Sequence, residues 1–186
     1  MKKTKYLLFS TGFSVLLTCP LLQANEFALY AGLGYSSLGL DVADFYESNV
    51  AVEVKGLPGL GGSFRFSYNM DNNIRIDIGT GNMVFMAGDL SYHSIPLNIT
   101  GGYNFHFSDN LNLYTRAGLV YNIIDGDFVD SQDKTGFIAA AGLEYRSFFM
   151  EISGDSSKSE MSVSRGPFTT STSIDGGFSF TIGAFF

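Results

Sequence analysis

The sequence predicts an all-β protein, an eight-stranded antiparallel up-and-down barrel that spans a membrane. Three observations carry that expectation. After the first two dozen residues, apolar and polar side chains alternate with period two over most of the chain. The alternating segments reach about ten residues or more, enough to cross a bilayer at a tilt, whereas soluble strands average about five or six. The connections between them alternate in length, as they do in membrane barrels with short turns on one side and longer loops on the other. No segment there is apolar for the roughly 18 residues that a crossing helix needs. Lipid offers backbone groups no hydrogen-bond partner, so a spanning sheet must close on itself.

The first element stands apart from the fold. Met1 to Lys5 is basic, Tyr6 to Leu22 is apolar, and Leu22-Gln23-Ala24 supplies a small-residue cleavage site. This is the pattern of a secretory signal peptide over 1–24, leaving 25–186 as the barrel domain. A membrane anchor is the competing reading. The run is short for that, contains Pro20, and has no basic cluster after it. A lipoprotein site at Cys19, the one cysteine, is disfavoured by Thr18 before it and Pro20 after it. Cleavage at Ala24 removes three lysines and leaves eight cationic residues against 18 acidic ones, a net charge of −10. That balance excludes nucleic acid as a partner. It also leaves no cysteine, so no disulfide stabilises the mature chain.

The strands follow in order. The first, about Phe27 to Leu38, sets Phe27, Leu29, Ala31, Leu33 and Tyr35 against Ala28, Gly32, Gly34 and Ser36. The second, about Gly59 to Asn69, sets Leu60, Phe64, Phe66 and Tyr68 against Ser63, Arg65 and Ser67. After the turn at Met70-Asp71-Asn72-Asn73, the third runs from Ile74 to about Phe85 with Arg75 and Asp77 on its polar face. The fourth spans Tyr92 to Phe107 and turns at Ser108-Asp109-Asn110. The fifth spans Leu111 to Tyr121, with Asn112, Tyr114, Arg116 and Gly118 on one face. The sixth, Lys134 to Tyr145, carries Glu144 inward and turns at Arg146-Ser147. The seventh starts at Phe148 and carries Glu151, Ser153 and Asp155. The eighth alternates Phe178, Phe180, Ile182, Ala184 and Phe186 with Gly177, Ser179, Thr181 and Gly183. The connections after the first, third, fifth and seventh strands are expected to be the longer, polar ones.

Three stretches carry a family resemblance. Phe27-Ala28-Leu29-Tyr30-Ala31-Gly32-Leu33-Gly34-Tyr35 resembles the opening strand of the OmpA-like and opacity-porin β-barrel superfamily. Gly61 to Asn69 is similar to its second strand, and Tyr103 to Gly118 to its central hairpin. The resemblance implies a small barrel in the outer membrane of a Gram-negative bacterium, with both termini periplasmic. It also implies that a last strand with Phe178, Phe180, Ile182 and Phe186 is read by the barrel-assembly machinery. The chain ends at the barrel, so the periplasmic peptidoglycan-binding role of some members is not expected.

The candidate constellation is a set of inward charges: Arg65, Arg75, Asp77, Arg116, Glu144 and Glu151. A barrel of eight strands is just wide enough to be filled by side chains. Unpaired charge there is costly, so these six are expected to pair into a structural plug. A narrow ion path is the alternative. His106-Phe107-Ser108 partly resembles the His-x-Ser of a lipid A deacylase, but Asp109-Asn110 departs from that pattern and Ser108 falls in a turn. His93-Ser94 is no better supported. Gly56 to Gly62 lacks the ending of a phosphate loop. No catalytic residue, metal cluster or cofactor is expected.

The loops are acidic, with Asp41, Asp44, Glu47 and Glu53 in the first and Asp125, Asp127, Asp130 and Asp133 in the third. They are expected to form a solvated face, or to bind divalent cations beside lipopolysaccharide or a basic host ligand. Asp125-Gly126-Asp127 is too short for an EF-hand loop. Phe45, Tyr46, Phe128 and Phe168 read first as membrane-interface anchors, with partner contacts as the alternative. The expected partners are outer-membrane lipid and lipopolysaccharide, the assembly machinery, and a surface ligand held by the loops. The expected role is that of a non-enzymatic surface protein, structural or adhesin-like, with a narrow channel or a lipid A-modifying enzyme as alternatives.

Overall fold

The computed structural model describes residues 26–50, 59–87, 90–129, 134–165 and 168–186. Its strands are β1 (Phe27–Ser36), β2 (Leu60–Asn69), β3 (Ile74–Ala87), β4 (Leu90–Ser108), β5 (Leu111–Gly126), β6 (Lys134–Tyr145), β7 (Phe148–Arg165) and β8 (Phe168–Phe185). Each pairs antiparallel with the next, and β8 returns to β1. The barrel is closed, as the alternation requires.

The pattern is inside-out relative to a soluble protein. Ile78, Phe137, Phe148, Ile152 and Phe178 face outward and are exposed, while Arg75, Asp77 and Ser67 face inward and are fully buried. Outward aromatics gather toward both ends of the wall. Phe27, Tyr103, Phe105, Phe107, Tyr145 and Phe148 lie near the end that holds Glu26 and Phe186, the terminal end of the described chain. Tyr35, Tyr121, Phe137 and Phe178 lie toward the other. Such girdles mark the two water interfaces of a membrane barrel.

At the terminal end the turns are short, as expected, at residues 70–73, 109–110 and 146–147. Asn73 and Arg146 hold positive φ there, 66° and 55°. At the opposite end the expectation of long loops fails twice. Only residues 88–89 separate β3 from β4, and only 166–167 separate β7 from β8. The polar stretches read as loops are strand. Above the apolar wall a strand needs no lipid-facing side chain, so Lys158, Glu160 and the Ser/Thr run of β8 keep the ladder without the apolar half of the alternation. Asp125 likewise sits within β5, paired in register with His93, and is not a loop residue.

The β7–β8 register slips by one between Asp155 and Lys158, opposite Gly176 and Gly177. Gly177 has φ +74°, and a Cβ there would collide with Ser37 Oγ, which accepts a hydrogen bond from Phe178 N at 3.0 Å. Glycine is required at this bulge, where the ribbon leaves the barrel wall.

The first long connection is not simply a polar loop. Leu38–Phe45 forms a helix, α1, continued by a π-helical turn over Tyr46–Val50. Leu38, Val42, Phe45 and Tyr46 recur at helical spacing and are buried. They enter the mouth of the barrel, which we call the capped end.

Candidate functional site in the barrel lumen

The lumen is built in layers. Nearest the terminal end, inward positions of β2, β3, β5, β6 and β7 bring three arginines and three carboxylates together. Arg75 lies against Asp77 at 2.9 Å and Glu144 at 3.0 Å. Arg116 holds Glu151 through two bonds, Nη2 to Oε1 at 2.7 Å and Nε to Oε2 at 2.9 Å. Arg65 donates to the same Glu151 and lies 3.7 Å from Asp77. All six residues are buried, and their charges cancel. Mutual pairing offsets the desolvation that each ion would otherwise suffer.

Neutral groups complete the layer. Tyr30 donates to Glu144 at 2.5 Å, Tyr114 to Glu151 at 2.8 Å, and Asn112 to Glu144 at 2.7 Å. Ser67 donates to Asp77 at 2.5 Å and accepts from Arg75 at 2.9 Å. The Arg65 guanidinium also stacks 4.1 Å from the Tyr30 ring, and that of Arg75 lies 4.3 Å from Tyr114. Tyr114 rests directly over Gly142, where a Cβ would overlap its ring.

Above this layer lies a cavity of about 150 Å³. The β1–β3 wall contributes glycines there, Gly34, Gly61, Gly79 and Gly81. Ser94, Asn98, Asn122, Asp155 and Thr181 add polar groups to a lining that also includes Leu38, Ile138 and Phe149. Space and partners of this kind suit ordered water.

The capped end packs apolar side chains above the cavity. Tyr92, Ile124, Met161, Val163 and Ile174 point inward from β4, β5, β7 and β8 and form one buried cluster with Leu38, Val42, Ala43, Phe45 and Tyr46. Tyr46 donates to the Asp127 carbonyl at 2.8 Å. Burial pushes its hydroxyl pKa up to about 12, with Asp127 acting in the same direction. Phe128, at φ +67°, packs its ring on Tyr46 at 6.2 Å while its carbonyl accepts Ser162 N at 2.8 Å.

The structure therefore brings all six predicted lumen charges into one network. Phe178, Phe180 and Ile182 face outward on β8, and Phe186 pairs with Leu29 through two backbone bonds of 2.9 Å. Phe45 and Tyr46 are a correction: they are plug residues, not interface anchors, because helical spacing turns both inward. Asp41, Asp44 and Glu47 lie exposed on that segment. Glu53, Asp130, Asp133 and the Phe168 side chain lie outside the described residues. So do the proposed signal segment and Gly56. Ser108 ends β4, and its Oγ accepts Asn110 N at 3.4 Å, which is turn chemistry. Among the described residues no group of three metal-ligating side chains gathers.

Two inward residues escaped the sequence reading. Tyr30 and Phe149 sit at polar-face positions of β1 and β7 and meet edge to face at 5.3 Å. The signal was present: strict parity puts Tyr30 with Ala28 and Gly32, and Phe149 with Glu151.

Comparison with known proteins agrees with this architecture. Residues 7–147 match the family model described as outer membrane protein beta-barrel domain. No curated protein matches the chain. Among solved structures, the outer membrane protein AlkL in lipid bilayers is 15% identical with a TM-score of 0.51, covering 87% of this chain and 90% of that one. Neisserial surface protein A is 14% identical with a TM-score of 0.49, covering 86% and 94%. Ail, the attachment invasion locus protein of Yersinia pestis, is 14% identical with a TM-score of 0.45, covering 87% and 98%. The match over most of its length, with a closed barrel of eight strands, shows that the chain belongs to the outer membrane protein beta-barrel domain family and resides in the outer membrane.

Proposed function

We propose that this protein is a non-enzymatic, non-conducting barrel that acts at the cell surface through its capped end, in a structural or adhesin-like role. The observation that carries the reading is that side chains occupy the lumen at two levels. An ion-paired layer fills one half, and the helix-bearing segment 38–50 fills the other. A lumen occupied at both levels leaves the surface as the working part.

In this reading residues 1–24 direct export and are removed, and the short turns and both termini face the periplasm. The capped end then faces outward among lipopolysaccharide. The six lumen charges hold the wall together, and Phe178, Phe180, Ile182 and Phe186 present the strand that the assembly machinery recognises. Mass spectrometry of the mature protein tests the first point, with Asn25 as the expected first residue.

Two measurements test the main reading. Purified protein in planar bilayers is expected to give no conductance steps. In nanodiscs it is expected to bind cells, and to lose binding when exposed residues of the capped end are replaced by a neutral linker. Steady single-channel steps, together with no cell binding, would overturn the proposal. The cavity beside the ion pairs favours one second reading, a narrow path that opens when those pairs exchange partners. That reading requires conductance which Glu151→Gln raises.

A further inference from the structure

Beyond the bulge at Gly177, the β7–β8 ribbon has two flanks, and they are treated differently. The β7 flank is covered. Ser162 N donates to Phe128 O at 2.8 Å, Val129 bridges to Met161, and Phe137 N donates to Ser156 Oγ at 2.9 Å. That strand also presents Lys158 and Glu160 outward, a usual protection against unwanted pairing. The β8 flank loses its neighbour. β1 ends at Ser36, level with Ser179, and Ser37 N reaches Phe178 O at 2.8 Å. Among the described residues no strand pairs with that flank further out. There Thr170, Ser171, Thr172 and Ser173 are all exposed, with no charge and no proline. Exposed, half of it β-branched threonine, and without charge or a paired strand among the described residues, this is an edge able to recruit another strand.

We propose that the β8 edge at Thr170–Ser173 pairs antiparallel with the same edge of a second copy of this chain held in a facing membrane. This rests on the surface orientation proposed above. Charge selects where two copies can touch. The chain carries a net −7, and Asp41, Asp44, Glu47 and Glu160 lie exposed around the same end. A second copy is therefore repelled over most of this surface, but not at the uncharged run. Self-complementarity selects the occupant. A twofold axis at Ser171 sets Thr170 opposite Thr172 and Ser171 opposite itself, and hydroxyl pairs of this kind stabilise cross-strand contacts. Symmetry selects the facing membrane. Antiparallel self-pairing needs a twofold perpendicular to the sheet, and the barrel wall stands upright, so that axis lies in the membrane plane. Two copies in one membrane share an axis along its normal, which would set the two edges parallel.

The test uses full-length mature barrel reconstituted separately into donor-dyed and acceptor-dyed phosphatidylcholine vesicles. Wild-type vesicles are expected to cluster, read by energy transfer on mixing. The Ser171→Lys/Ser173→Lys double variant faces like charges across the pair, and its clustering rate is expected to fall about tenfold or more. Unchanged gel mobility, boiled against unboiled, checks that this variant folds. Independently, Ser171→Cys in tagged and untagged populations should give a mixed disulfide dimer on oxidation. Dispersed wild-type vesicles, clustering indifferent to the lysines, or disulfides formed only within one population would each overturn the proposal. Clustering only on addition of another protein would assign the edge to that partner and overturn self-pairing. Cell binding without vesicle clustering would discard this proposal and keep the surface role. Loss of both would remove both.

Discussion

In the terminal half of the lumen, three arginines meet three carboxylates, every one of them projected by a strand of the wall. In the capped half, strand side chains meet α1 and the turn after it, an insertion between β1 and β2. Both halves are filled, but they depend on the wall differently. The charged layer cannot separate without parting strands that are laddered on both sides. The cap can leave while every strand stays paired, because it is a local unit held by apolar contact and a few polar bonds. Damage to the first should therefore be global, and damage to the second confined.

The largest effect expected is that of Glu151→Ala. It leaves Arg65 and Arg116 without their shared carboxylate, a loss of about 5 kcal/mol. Urea unfolding in lipid vesicles should show it as a lowered midpoint of the whole barrel. A fall in cap protection alone would break the comparison. Phe45→Ala should cost about 3 kcal/mol, but locally. Limited proteolysis should cut within 38–50 while the boiled-against-unboiled mobility shift is retained.

Gly142→Ala sharpens the point inside the charged layer. The added methyl displaces the Tyr114 ring from its place over Gly142, and overpacking of that kind costs about 2 kcal/mol. The whole-barrel midpoint should again fall, by less than for Glu151→Ala. The smallest effect is that of Tyr46→Phe, about 1 kcal/mol for the bond to the Asp127 carbonyl.

Tyr46 also gives the cap a pH dependence. Its folded pKa, about 12, lies above the ordinary value of 10.0 because burial disfavours the phenolate. The stability it contributes is therefore complete below pH 10 and lost as pH rises through about 12. Proteolysis within 38–50 should increase over that window in the wild type, and Tyr46→Phe should lack this component of the rise.

The barrel was legible in the sequence because alternation is a property of each strand alone. Arg65, Arg75, Asp77, Arg116, Glu144 and Glu151 could be placed inside from parity, without knowing which would meet. Their pairing was not legible, since Arg65 finds Glu151 from 86 residues away. The cap was missed for a different reason. Leu38, Val42, Phe45 and Tyr46 have a helical period, but among Asp41, Asp44 and Glu47 the segment read as polar loop. Aromatic residues near a membrane boundary then suggested anchoring. The β7–β8 ribbon was shortened because the apolar half of the alternation stops where lipid stops, while the ladder continues.

Closure between Leu29 and Phe186 means that the two ends of the described chain lie side by side. A ring has no first strand. If the ends were joined and the chain reopened at the turn of residues 109–110, each strand would keep both its neighbours. The change would be that the stretch from Phe178 to Phe186 no longer came last among the strands. Such a permuted gene would separate two things that the natural order keeps together, the geometry that makes the barrel and the place of the Phe178–Phe186 strand in the order of synthesis.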